Sequence, residues 1–166
     1  GLSVIIPFLN EAESIYDFCK TMDEYVLTLP FPVEFIFVND GSTDDSVERL
    51  LNFRFQNLSA VQLVNLSRNF GSQAAIRAGI SKAKYDICTW FSIDMQEPKE
   101  ILLLSFEKIY SGKLEAVYFE KKTVGLSKVN RFFSKTYSYL MKKYAVANYS
   151  RNGTATIAFG KKIKKF

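Results

Sequence analysis

The sequence contains no histidine. That excludes histidine-based triads, imidazole acid–base chemistry and zinc sites built on imidazole. Its two cysteines, Cys19 and Cys88, lie far apart in apolar contexts. This suits the buried, reduced thiols of a cytosolic protein better than a disulfide scaffold or a metal cluster. No apolar run approaches the roughly 18 residues of a spanning helix. The opening "GLSVIIPFLNE" reads as a strand, not a signal peptide. Acidic residues are missing from one whole region: residues 121–166 carry twelve Lys/Arg and no Asp or Glu. Internal repeats and low-complexity segments are absent too.

What is present is a globular composition, 48% hydrophobic and 15% aromatic, which excludes a disordered chain. At 166 residues it suits one domain with a proper core. Lacking an initiator Met and ending on "KKIKKF", residues 1–166 read as a single domain that a longer protein can continue past its C-terminus. The formal charge of +5 hides a polarity. Residues 1–60 hold three Lys/Arg against ten Asp/Glu, and residues 61–120 hold seven of each. The basic C-terminal third therefore points to an anionic partner: phosphate, anionic lipid or nucleic acid. A solvated basic surface is the plainer alternative.

Strands and helices alternate. "LSVIIPF" predicts a strand, and Asn10 with Glu13 predicts an N-cap and N3 acid for a helix carrying Ile15, Phe18, Cys19, Met22 and Val26 on one face. "VEFIFVND" predicts a second strand, with Ser42 capping a helix through Val47, Leu50 and Leu51. "AVQLVNLS", the helix "SQAAIRAGISKA" and the strand "YDICTWFSID" follow, and Pro98 suits the first turn of a helix through Leu102, Leu103 and Phe106. "LEAVYFEKK" predicts a fifth strand. A long helix over Ser127–Tyr144 follows from the spacing of Val129, Phe132, Phe133, Thr136, Tyr137, Leu140, Met141 and Tyr144, and "TATIAFG" predicts a last strand. Near-continuous apolar strands alternating with helices predict an α/β, Rossmann-like, mostly parallel sheet flanked by helices. Such sheets bind ligands at the C-terminal ends of their strands, where "NE", "NDGSTDD", "SRNFG" and "DMQ" all fall.

Asp40, at a strand end before Gly41, can accept a hydrogen bond from the ring N–H of a base, or simply form a turn and helix cap. In "SIDMQ", residues two apart share a strand face, so Ser92, Asp94 and Gln96 project together if the strand stays extended. A carboxylate and an amide oxygen are ligands for a hard divalent ion that also holds substrate phosphates, while the alternative is a capping Asp before a Pro-initiated helix. Asn69 and Gly71, beside Arg68, precede a helix whose first amides attract phosphate, although a lone Gly is weak support. Trp90 and the aromatic stripe of the long helix are read as core.

"SVIIPFLNEAESI", "FIFVNDGSTDDS", "LSRNFGSQAAIRAGISKAKYD" and "SIDMQEPKEIL" together resemble family 2 glycosyltransferases of the GT-A fold. Within them they resemble the branch of dolichol-phosphate mannose synthases and undecaprenyl-phosphate glucosyltransferases. The resemblance covers about residues 2–110. It implies that Pro7, Leu9, Asn10, Glu11 and Asp40 surround base and ribose, with Leu9 replacing the usual aromatic, and that Asn69, Gly71 and Ser92 belong to the same nucleotide-sugar site. It also implies that Asp94 and Gln96 hold Mg2+ or Mn2+ on the diphosphate, with Ser92 where a first Asp is normal. Arg131, in "KVNRFFSK", is similar to a basic segment that meets phosphate, and Thr154 and Thr156 stand where the family has Asp and Arg.

The implied reaction is transfer of a hexose, with inversion, from a nucleoside diphosphate (UDP favoured) to a polyprenyl phosphate. A phosphate acceptor with a second pKa near ~6 needs no base, whereas a sugar hydroxyl does. The acid-free C-terminal third favours the phosphate. Its basic helix, with Lys128, Arg131, Lys135, Lys142 and Lys143, suits peripheral contact with the inner face of the cell membrane. Two alternatives stand: transfer to a saccharide hydroxyl in capsule or O-antigen assembly, with Glu97, Glu100 or Glu120 as base, and a non-catalytic nucleotide-sugar-binding domain. The basic segment matches no nucleic-acid module, so no nucleic-acid partner is expected.

Overall fold

In a computed structural model, residues 1–58, 60–120 and 154–164 are described. Predicted alternation becomes observed elements in order: β1 (Leu2–Phe8), α1 (Ile15–Tyr25), β2 (Val33–Asn39), α2 (Ser46–Asn52), β3 (Val61–Asn65), α3 (Ser72–Lys82), β4 (Ile87–Trp90), α4 (Ile101–Tyr110), β5 (Ala116–Glu120) and β6 (Thr154–Phe159). A helical turn, Lys161–Lys164, follows β6. The long basic helix expected over Ser127–Tyr144 lies outside the described residues, and Arg131 with it.

The six strands form one sheet in the order β3-β2-β1-β4-β6-β5. β1 runs parallel to β2, from Leu2 opposite Val33 to Phe8 opposite Asn39. β2 is parallel to β3 and β1 to β4, while β6 runs antiparallel to β4. The sheet is therefore mostly parallel with helices on its faces. Residues 1–117 and 158–166 form one compact unit, and residues 118–157 a second.

Period-two alternation sends the β1 and β2 side chains to two faces. Leu2, Val4, Ile6 and Phe8 with Phe35 and Phe37 join Ile15, Phe18, Cys19 and Met22 of α1 and Leu102 and Phe106 of α4 in one buried cluster. Phe18 meets Phe37 edge-on at 6.2 Å and Phe91 at the same separation, the packing that aromatic quadrupoles favour. On the other face α3 lies so close that a Cβ on Gly79 would sit 2.5 Å from Ile5 Cγ2. The glycine lets helix and sheet touch at Ile5 and Val38.

β1, β2 and β3 follow one another outward, and β4 then returns to the other side of β1. The order reverses between β1 and β4, and open α/β sheets bind ligands in that crevice, beyond the carboxyl ends of the strands.

Candidate active site

The loop after β1 folds onto the loop after β2 through side-chain oxygens. The N–H of Asn10 donates to Ser42 Oγ at 3.0 Å, that of Glu11 to Ser46 Oγ at 2.7 Å, and that of Ala12 to Asp44 Oδ2 at 3.1 Å. In return, Asn10 Oδ1 accepts the N–H of Thr43 at 2.8 Å. Asn10 holds a positive φ of 56°. The expectation that Asn10 caps α1 and Ser42 caps α2 is corrected here. α1 starts at Ile15, after a turn in which the N–H of Ser14 donates to the Glu11 carbonyl, and α2 starts at Ser46. Both polar side chains tie two loops together instead.

Burial opposes ionisation of Asp44, but the hydroxyl and N–H of Ser46 and the N–H of Ala12 outweigh it and hold the carboxyl below its ordinary range. The "NDGSTDD" segment is thus a pre-formed scaffold: Asn39 Oδ1 also accepts the N–H of Ser42 at 2.8 Å, and Asn39 Nδ2 donates to Asn65 Oδ1 at 3.1 Å.

The loop after β3 hangs on Asp40. Asp40 is buried, its own N–H donates to the Phe8 carbonyl, and its two carboxylate oxygens accept the N–H groups of Phe70 and Gly71 at 2.8 and 2.9 Å. Gly41 presses against the same loop. Beyond this anchorage Arg68, Asn69 and Phe70 are exposed, with the Arg68 guanidinium 4.7 Å from the centroid of the Phe70 ring.

β4 leaves its ladder at Trp90, opposite Ile5. The extension expected through "SIDMQ" is not kept. The N–H of Met95 donates back to the Ser92 carbonyl, and Met95 takes a positive φ of 51°, so Ser92–Met95 forms a turn. The turn nonetheless joins two of the expected side chains, Ser92 Oγ donating to Asp94 Oδ1 at 2.6 Å, while Gln96 reaches the same oxygen through its backbone N–H at 3.3 Å. Pro98 lies just before α4 and not within it, its carbonyl accepting the N–H of Ile101.

Asp94 and Gln96 are exposed, and among the described residues no donor meets Asp94 Oδ2. The donor set of one carboxylate, an amide oxygen and a hydroxyl is all hard oxygen, which fits a divalent ion that takes its remaining ligands from phosphates and water. It does not fit a cage: among the described residues no three acidic or cysteine side chains gather at one point. Pro7 and Glu11 are half-buried, and Leu9 and Asn10 exposed, at the end of β1 next to this turn in the sheet order.

Cavities of ≈ 510 Å³, walled by Tyr16, Lys20 and Phe53, and of ≈ 520 Å³, walled by Arg77, Phe159 and Ile163, include none of these residues. The thiols take no part: burial pushes Cys19 up to about 12 and Cys88 up to about 11. Sequence reasoning missed two buried acids. Glu34 Oε1 accepts the Ser3 hydroxyl and the N–H of Lys84. Asp23 accepts the N–H groups of Gln56, Asn57 and Leu58. Glu34 stands within "VEFIFV" and Asp23 beside Met22 on the buried face of α1, a charge at an apolar position being the signal that could have found them.

The sequence is 34% identical over 111 residues to the bactoprenol glucosyl transferase of Shigella phage SfV, a match covering 67% of this chain and 36% of that protein. The undecaprenyl-phosphate 4-deoxy-4-formamido-L-arabinose transferase of Klebsiella pneumoniae is 34% identical over 111 residues, 67% of this chain and 34% of its own length. The chain thus spans about a third of the length of these relatives. Among solved structures, S. aureus TarS residues 1–349 superposes with a TM-score of 0.65 at 17% identity, covering 99% of this chain and 48% of that one. Glucosyl-3-phosphoglycerate synthase of Mycobacterium tuberculosis, in complex with Mn2+, UDP and phosphoglyceric acid, gives 0.63 at 18% identity, covering 98% and 56%. At those identities the likeness is one of fold, the GT-A arrangement. The sequence model described as glycosyl transferase family 2 matches residues 3–162, and the chain belongs to that family.

Proposed function

We propose that residues 1–166 form the catalytic domain of an inverting glycosyltransferase that moves a hexose from a nucleoside diphosphate, UDP by preference, to a polyprenyl phosphate. One observation carries the reading. Three tied loops and a turn gather at the carboxyl ends of β1–β4, and the turn presents Asp94 with one carboxylate oxygen unengaged among the described residues. The relatives named for bactoprenol and undecaprenyl phosphate support the acceptor class.

In this reading Pro7, Leu9, Asn10 and Glu11 receive base and ribose, with Asp40, Asn69 and Gly71 on the far side. Asp94 and Gln96 would hold Mg2+ or Mn2+, and the Ser92 hydroxyl, donating to Asp94 Oδ1, would help to orient that carboxylate. An ion held there would supply positive charge to the departing diphosphate, where charge develops as the bond to C1 breaks. The acceptor phosphate attacks C1 from the opposite face, and Arg131 neutralises that phosphate. No side chain must remove a proton, because a phosphomonoester is already largely anionic at neutral pH. The absence of acid from residues 121–166 accords with that chemistry. Among the described residues no helix is long and apolar enough to cross a membrane. Contact through the basic C-terminal third would place the enzyme at the inner membrane face.

Radiolabelled UDP-glucose, Mn2+ and undecaprenyl phosphate in detergent test the reading. Label extracted into organic solvent as a lipid-linked sugar is expected. Label delivered only to a water-soluble saccharide would replace the acceptor, and nucleotide binding without turnover would support a non-catalytic binding domain.

A further inference from the structure

Beside α3 lies the cavity of ≈ 520 Å³, and its charges are not balanced. α3 supplies Arg77, Ile80 and Ser81, β6 supplies Phe159, and the helical turn Lys161–Lys164 supplies Ile163 and Lys164. All six belong to the same compact unit. The volume falls inside the range of roughly 300–1,000 Å³ typical of small-molecule sites.

The lining holds two cations and no acid. Its lysine differs from the two beside it. Lys161 lies 3.6 Å from Asp86 and Lys162 2.7 Å from Glu115, so each of those has an acid. Lys164 is half-buried and donates instead to the carbonyls of Ala83 and Tyr85, both at 2.7 Å. Carbonyls hold the ammonium in place without cancelling its charge, and one of its three N–H groups stays available. Arg77 has neither an ion pair nor a hydrogen bond among the described residues. Charges withdrawn from water are normally paired, and here the protein provides no partner. Ile80, Phe159 and Ile163 meanwhile form an apolar wall that a bare inorganic anion would leave unused.

We propose that this cavity binds an anionic amphiphile. Its phosphate or carboxylate head meets Arg77 and Lys164, and the start of its apolar chain lies against Ile80, Phe159 and Ile163. The site is separate from the one proposed for transfer. Phe159 pairs with Cys88, and Lys164 holds Ala83 and Tyr85, all by the entry of β4, whereas Asp94 lies past its exit. Its occupation neither requires nor replaces the nucleotide-sugar reading.

Butyl phosphate, octyl phosphate and uncharged octanol, titrated onto the isotope-labelled chain with amide shifts followed by NMR, test the proposal. Octyl phosphate is expected to shift the amides of residues 80–85 and 159–164. A buried methylene is worth roughly fourfold in affinity, so burying two of the four that octyl adds makes it more than tenfold tighter than butyl phosphate. Arg77→Gln carries the mutational test, because Lys164→Gln also removes two bonds that hold the turn. Arg77 is exposed, so its variant should keep the wild-type urea midpoint while binding octyl phosphate about tenfold more weakly. Binding indifferent to Arg77→Gln, octanol binding as tightly as octyl phosphate, or shifts confined to the turn Ser92–Gln96 would each overturn the proposal. Vesicles of phosphatidylcholine with and without phosphatidylglycerol then identify the source. Retention that needs phosphatidylglycerol and is lost in Arg77→Gln makes the ligand a membrane phospholipid, and octyl phosphate binding without such retention makes it a free amphiphile; both uphold the chemistry.

Discussion

Replacing Gly41 by alanine probes the seam on which the candidate site is built. Gly41 has φ +79°, and a Cβ there would lie 2.5 Å from the carbonyl carbon of Arg68 and 2.6 Å from the nitrogen of Asn69. Gly112, after α4, has a similar φ of +72° with nothing within 4 Å of the added carbon. The left-handed backbone costs an alanine about 1–2 kcal/mol at either position. Carbon atoms rest ~3.5–4.0 Å apart, so at Gly41 the loop backbone must also yield by about 1 Å. Forcing an extra carbon into a close-packed seam adds about 1–3 kcal/mol. Gly41→Ala is therefore expected to cost about 2–5 kcal/mol and Gly112→Ala about 1–2 kcal/mol. Urea unfolding with unchanged m-values measures both. If the two variants agree to within about 0.5 kcal/mol, the ordinary scatter of surface changes, the loops do not bear on one another as described.

Three further outcomes follow from the same contacts. Asp23→Ala leaves three backbone donors without their acceptor, that of Leu58 being buried, and is expected to cost about 2–4 kcal/mol in urea unfolding, while a loss below about 0.5 kcal/mol would deny the tie. Asp44 has its pKa lowered in the folded protein, so its contribution is present above the ordinary carboxylate range and is lost as pH falls through the lowered value. The stability difference between wild type and Asp44→Asn should shrink on acidification, and a difference that grows would reverse the sign of the argument. With the thiols buried and pushed up to about 12 and about 11, a disulfide reagent at pH 8 should label native protein far more slowly than unfolded protein, and rapid labelling of native protein would contradict their burial.

The strands were legible because their apolar runs are long and their ends carry Asn, Asp and Gly. The gathering of four polar segments at one edge followed from the alternation of strand and helix alone. What local sequence does not reveal is which amide a polar side chain will serve. Asn10 and Ser42 have the chemistry of caps, but tertiary structure offers them each other's loops, with hydrogen bonds bridging 32 residues. The turn at Asp94 depends on a positive φ at Met95, a conformation that methionine does not advertise. Asp40 is the instructive case. The sequence marks it as an acid at a strand end, and only the fold shows the amides of Phe70 and Gly71 arriving on its two oxygens.

The central claim is that the turn after β4 holds a metal-bridged diphosphate through Asp94. Calorimetric titration of UDP with and without Mn2+, on the wild-type chain and on Asp94→Ala, tests it most directly. The account predicts binding that requires the metal in wild type and falls by roughly tenfold or more in the variant, a loss of about 1.4 kcal/mol or more. UDP binding that is indifferent to Mn2+, or that survives Asp94→Ala unchanged, would contradict it.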